Sequence, residues 1–148
     1  MFLFKTETDL RKSFLPRDER LLELPRGLKF PLMVRDYLAW NEPGSSRVFL
    51  VFAEPDVRKP LGMVFERDSG GGPTPAMCEW CHSMGTGNEI GVLLLDAGGG
   101  RKVGVHLCRG LECREKIERD TRLSPMATQK KLRRVVAQMS KLARRTLF

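Results

Sequence analysis

MCEWCHS (Met77–Ser83) and HLCRGLECREK (His106–Lys116) together hold all four cysteines of the 148-residue chain. Cys78 and Cys81 follow a C-x2-C spacing, Cys108 and Cys113 a C-x4-C spacing, and 26 residues separate Cys81 from Cys108. Two short loops offering two thiolates apiece can wrap one tetrahedral zinc ion, at about 2.3 Å per sulfur, without long-range strain. The competing readings are four reduced buried thiols or two disulfides, and neither explains why the sulfurs come in close pairs. Four protein ligands leave no open coordination position, so the metal reads as structural. His82 and His106 are the two histidines of the chain and lie close to ligand cysteines. Either can replace a sulfur or orient one, but with four sulfurs already sufficient both read as polar residues at the ends of the knuckle and a strand.

The surroundings give the pairs a frame. EIGVLLLDA (89–97) and KVGVHL (102–107), joined by GGGR, read as a hairpin. A helix is expected from about Leu111 to Arg122, before Ser124-Pro125. A knuckle, a hairpin and a helix whose first turn carries the remaining ligands are the parts of a treble clef. The helix N-terminus favours thiolate over thiol there.

Upstream, RVFLVFAE (47–54) and LGMVFERD (61–68) flank a Pro-containing turn and carry the Val and Phe that suit a pleated surface. The SGGGPTP stretch (69–75) reads as a flexible loop. Residues 1–44 read as a helical, interrupted lead-in. Thr6 or Thr8 caps a helix through Phe14 and Leu15 that stops at Pro16, and Asp18 opens a second turn, ERLLEL, ended by Pro25 and Gly27. LMVRDYLAW (32–40) places Met33, Val34, Tyr37, Leu38 and Trp40 at helical spacing before NEPG ends it. From about Ala127, Leu132, Val135, Val136, Met139, Leu142 and Ala143 recur at three and four residues, the stripe of a C-terminal helix. The expected fold is α+β in one domain (1–148): the lead-in (1–44), a strand pair (45–70), the zinc finger (77–123) and the C-terminal helix (126–148).

Charge is concentrated at one end. Residues 101–148 hold 14 Lys and Arg against 4 Asp and Glu, while residues 1–100 hold 12 against 14. That field speeds encounter with acidic proteins and with nucleic acids alike. Lys130, Lys131, Arg133 and Arg134 on the last helix, with Arg101 and Lys102 at the hairpin, are the candidate partner-binding cations; the plainer reading is a solvated face. Trp80 stands inside the knuckle, where side chains tend to point outward, and is either an interface anchor or a core residue folded back over the sheet.

No histidine lies outside the cysteine neighbourhood to build a Ser-His-Asp or Cys-His arrangement, and the glycine runs match no phosphate-binding spacing. Glu115 and Glu118 sit on a helix face that reads as solvated. A binding protein is expected, not an enzyme. No run approaches the roughly 18 to 20 apolar residues of a membrane-spanning helix, and the first residues lack a cleavable leader pattern. The expectation is a cytoplasmic monomer, where reduced thiols bind metal.

The order SFLPRDERLLELP, YLAWNEP, two strands, a Gly-rich break, MCEWC, a hairpin, LCRGLEC and a basic helix resembles the elongation factor G-binding protein family. This is the treble-clef zinc-finger domain at the C-terminal end of FusB-type fusidic-acid-resistance proteins. The resemblance covers nearly the whole chain. It implies that Cys78, Cys81, Cys108 and Cys113 bind one zinc, and that the partner is elongation factor G, which the resistance proteins help release from stalled ribosomes. Those proteins carry a helical bundle ahead of this domain; here residues 1–44 stand in its place, so the resemblance is to a standalone form and carries over factor binding, not drug resistance. The rival reading is an RNA- or ribosome-binding protein acting through the basic C-terminal third. Phe148 alone accompanies those charges, so no base-stacking platform is expected.

Overall fold

The first strand and helix close a small N-terminal unit. In this computed structural model, which describes residues 1–53, 59–68 and 73–147, β1 (Phe2–Phe4) leads into α1 (Glu7–Lys12) and α2 (Pro16–Glu19), and β2 (Leu32–Val34) returns to pair antiparallel with β1. Thr6 caps α1 reciprocally: its hydroxyl accepts from Asp9 N at 3.2 Å and the Asp9 carboxylate accepts from Thr6 N at 3.3 Å. The helix ends at Lys12, short of the expected Leu15, with Ser13 as its cap. Pro16 starts α2 at its first turn, because its missing N–H costs nothing there. The expected second turn is therefore shifted: the helix runs Pro16–Glu19, and all but Glu19 of the expected ERLLEL turn lies beyond it.

Five strands form the main antiparallel sheet. β3 (Tyr37–Asn41), β4 (Arg47–Ala53), β5 (Pro60–Arg67), β8 (Ile90–Gly98) and β9 (Arg101–Cys108) lie in the order β3-β4-β5-β8-β9. Between them in the chain, β6 (Ala76–Met77) and β7 (Met84–Gly85) make a two-stranded ribbon. The hairpin β8–β9 turns through Gly98, Gly99 and Gly100, all at positive φ. α3 (Cys113–Arg119) and α4 (Pro125–Thr146) follow. Ser124 caps α4, its hydroxyl accepting from Ala127 N at 3.1 Å, with Pro125 at the first position. All six apolar residues of the predicted α4 stripe are buried.

The sheet is covered on both faces, and this explains why one segment forms a different type of element from the one expected. LMVRDYLAW is not a helix; it forms β2 and β3, separated by Asp36 at φ 66°. Along β3, Tyr37 and Ala39 pack into the cluster on the α4 face, and Leu38 and Trp40 into the cluster on the N-terminal face. With both faces apolar, the two-residue alternation disappears and the run fits a helical spacing equally well. The lead-in thus contains three strands besides its two short helices. β4 shows the same two-sided burial: Val48, Leu50 and Phe52 join one cluster, Phe49 and Val51 the other. On the N-terminal face Trp40 stacks on Phe49 at 5.4 Å, and Phe14 meets both edge-on.

Glu54, the end of the expected 47–54 strand, residues 69–72 of the Gly-rich stretch and Phe148 lie outside the described residues. Among the described residues no helix is long and apolar enough to cross a membrane.

Phe14 rests directly on Gly62 of β5, so closely that a Cβ at position 62 would stand far nearer to its ring than van der Waals contact allows. Gly62→Ala is expected to destabilise the fold by about 1–3 kcal/mol through overpacking, read as a lowered urea midpoint with an unchanged slope.

Candidate metal centre

The knuckle is built by the ribbon that flanks it. β6 and β7 bring Met77 opposite Met84, and the intervening chain folds back so that Cys78 N donates to Ser83 O (2.9 Å) and His82 N to Cys78 O (2.8 Å). His82 takes φ 63°, a left-handed position that histidine tolerates better than most residues. The knuckle is fastened to the outer strand of the sheet: Glu79 N donates to His106 O, and His106 N to the Glu79 carboxylate, both at 2.8 Å. Edge groups of β9 that would otherwise face water are thereby occupied.

The second pair straddles the end of β9. Cys108 closes the strand, Leu111 turns the chain at φ 57° with its N–H on Cys108 O (2.9 Å), and Cys113 opens α3. The helix starts two residues later than expected because Leu111 is spent on this turn. Tyr37 holds the turn from beneath. Its hydroxyl donates to Leu111 O (2.7 Å) and accepts from Arg114 N (2.9 Å), and the Arg114 guanidinium lies 4.8 Å from its ring centre. Burial, with the nearby Cys113 charge, raises the Tyr37 phenol well above its ordinary range, so it stays protonated as a donor.

All four sulfurs converge. Their ligand atoms lie within 4.8 Å of one another; Cys81 and Cys108 are 3.6 Å apart, Cys78 and Cys113 3.7 Å, and Cys108 and Cys113 3.8 Å. Sulfurs about 2.3 Å from a common tetrahedral centre stand about 3.8 Å apart, so the cluster fits one zinc ion. The separations exclude disulfides, which need about 2.05 Å. Contacts with Cys108 and Cys113 lower Cys78 to about 7, and contacts led by Cys108 lower Cys81, whereas contacts with Cys108 and Cys78 raise Cys113. Four thiols this close cannot all ionise in one another's field without a cation; a divalent metal allows it. Cys78, Cys81, Cys108 and Cys113 are the residues that hold it, and with four sulfurs it supplies structure.

One cation beside the cluster was not apparent from motif spacing. Lys116 donates to Cys108 Sγ at 3.3 Å and to Ser83 Oγ at 3.2 Å. Burial alone would lower its pKa, but the hydrogen bond to Cys108 and the sulfur charges outweigh this and raise it. It stands three residues after Cys113, one turn along α3, and that spacing is the signal available in the sequence. Tyr37 has no such signal, since only the fold brings β3 to the ligand turn. His82 and His106 are exposed and stand outside the sulfur cluster.

The candidate partner residues are dispersed. Trp80 does not point outward; it is 5% exposed and meets Phe65 edge-on at 6.1 Å. The knuckle lies against the sheet, and its largest apolar side chain follows the sheet inward. Arg101 and Lys102 open β9, about 24 Å along the strand from Cys108. Lys102 faces Glu66 at 3.6 Å. Lys130, Lys131, Arg133 and Arg134 are exposed on α4, and Lys131 and Arg134 line the cleft beside Cys81 and His82.

Knuckle, hairpin and ligand helix around one four-sulfur site define a treble-clef zinc-finger protein. The family model described as FBP C-terminal treble-clef zinc-finger matches residues 9–147, and the chain belongs to that family. Among solved structures, the one titled "Structure of the fusidic acid resistance protein FusC" superposes with a TM-score of 0.50 at 19% identity, covering 75% of this chain and 53% of that one. The chain spans about half of that protein's length, and the likeness is one of fold. No curated protein matches the sequence.

Cys108→Ser is expected to abolish stoichiometric zinc and unfold the finger, because metal binding and local folding are coupled; a colorimetric zinc assay with circular dichroism reads both. Trp80→Ala is expected to destabilise the protein by about 3–5 kcal/mol, as core truncations of this size do, measured by chemical denaturation.

Proposed function

We propose that this chain is a non-catalytic binding protein that associates with elongation factor G and modulates translation by promoting the factor's release from the ribosome. The observation that carries the reading is the family match across residues 9–147. The likeness in fold to a fusidic acid resistance protein supports it.

Three physical features agree with a binding role. A zinc site closed by four protein sulfurs offers no position for a substrate or activated water. The metal fixes a knuckle and a helix N-terminus against the sheet, so a surface built on them is ordered before the partner arrives. Lys130, Lys131, Arg133 and Arg134 project from α4 without ion pairs among the described residues, ready to steer an acidic protein surface toward it. Arg101 and Lys102 form a separate basic point at the hairpin. The protein acts as a monomer in the cytoplasm, where the factor works.

Purified chain is expected to co-elute with elongation factor G at physiological salt. Co-elution with RNA alone, lost steeply as salt rises, would overturn the proposal in favour of a phosphate-binding role.

A further inference from the structure

Three depressions join along the junction between the knuckle and the last two helices. The central one, about 320 Å³, is shared with a neighbour of about 450 Å³ through Lys131 and with another of about 190 Å³ through Trp80 and Gln138. One wall is a line of exposed residues on α4: Lys131, Arg134, Gln138, Lys141 and Arg145, at steps of three, four, three and four. At 1.5 Å per residue the line runs about 21 Å. Ala137 is exposed at the central depression, whose floor is formed by the nearly buried Trp80, Ile117 and Val135.

The groove's lining is net positive, with cations outnumbering the acids Asp120 and Glu79. Among the described residues, Lys131, Arg134, Lys141 and Arg145 form no salt bridge. Asp120, paired with Arg122 at 3.0 Å and attracted by Lys131, and Glu79, which accepts from the backbone N–H of His106 at 2.8 Å, offset only part of that charge. The occupant must therefore bring negative charge at helical intervals, together with something apolar for the floor.

We infer that this groove receives an acidic, amphipathic helical segment of a partner protein, lying alongside α4. Carboxylates spaced at three and four residues on such a helix match the cation spacing of α4, and an apolar side chain between them meets Ala137 and the floor beside it. A nucleic-acid backbone is polar on every side and leaves that floor unfilled. The groove also presents no exposed aromatic face on which a base can stack. The inference rests on the preceding reading only in that the partner is a protein.

A synthetic helical peptide of about 14 residues, long enough for the 21 Å line, tests it, with leucines on one face flanked by glutamates. Titrated calorimetrically at physiological salt, it is expected to bind the zinc-loaded chain. Lys131→Glu/Arg134→Glu is expected to weaken binding about tenfold or more, and the equal charge change Arg26→Glu/Lys29→Glu, at exposed positions lining none of the three depressions, less than about twofold. Zinc content and helicity confirm that both variants fold. Absence of peptide binding, equal loss in both variants, or tighter binding of oligouridylate than of the peptide overturns the inference. Capture of elongation factor G that both variants retain equally also overturns the groove as its docking site while leaving the functional proposal standing. Peptide binding without any capture of the factor supports the groove and refutes that proposal.

Discussion

Sulfurs held 3.6 to 3.8 Å apart are the arrangement on which the C-terminal half of the molecule depends. Two of them come from a tight knuckle and two from a strand end and a helix start, so a single ion ties three kinds of local structure together. The arrangement is repulsive without a cation and binding with one. The fold prepares it from several sides: Tyr37 braces the second ligand turn, Lys116 places an ammonium against Cys108, and the backbone pairing of Glu79 with His106 moors the knuckle to β9. Three of the cysteines are buried within the main apolar cluster. The metal centre and the core are consequently one structure.

The parts of this arrangement that were legible beforehand are those whose signal is local. Cysteine spacing located the metal ligands, Val- and Phe-rich runs located β4 and β5, and a one-sided stripe located α4. What was not legible depends on neighbours. LMVRDYLAW is apolar on both faces because it lies in a sheet covered on both sides, and two-sided burial erases the alternation that marks a strand. The same segment supplies Tyr37, whose role at the metal turn exists only because β3 passes beneath it. Trp80 is a related case: the C-x2-C spacing fixes its two neighbours, but whether it faces water depends on Phe65 of a distant strand.

The uneven charge of the sequence also acquires a shape. Arg101 and Lys102 sit at one end of β9, the zinc at the other, and the cations of α4 run as a line beside the knuckle. The knuckle wall, the basic face of α4 and the floor between them give the inferred docking groove direction as well as attraction. Burying Trp80 serves this surface indirectly, by seating the knuckle so that the groove keeps its form.

X-ray absorption at the zinc edge on the purified chain tests the central claim most directly. The account predicts one zinc per chain with four sulfur scatterers at about 2.3 Å and no nitrogen or oxygen in the coordination sphere. A histidine nitrogen or water oxygen among the ligands, or substoichiometric metal in a folded chain, would contradict it.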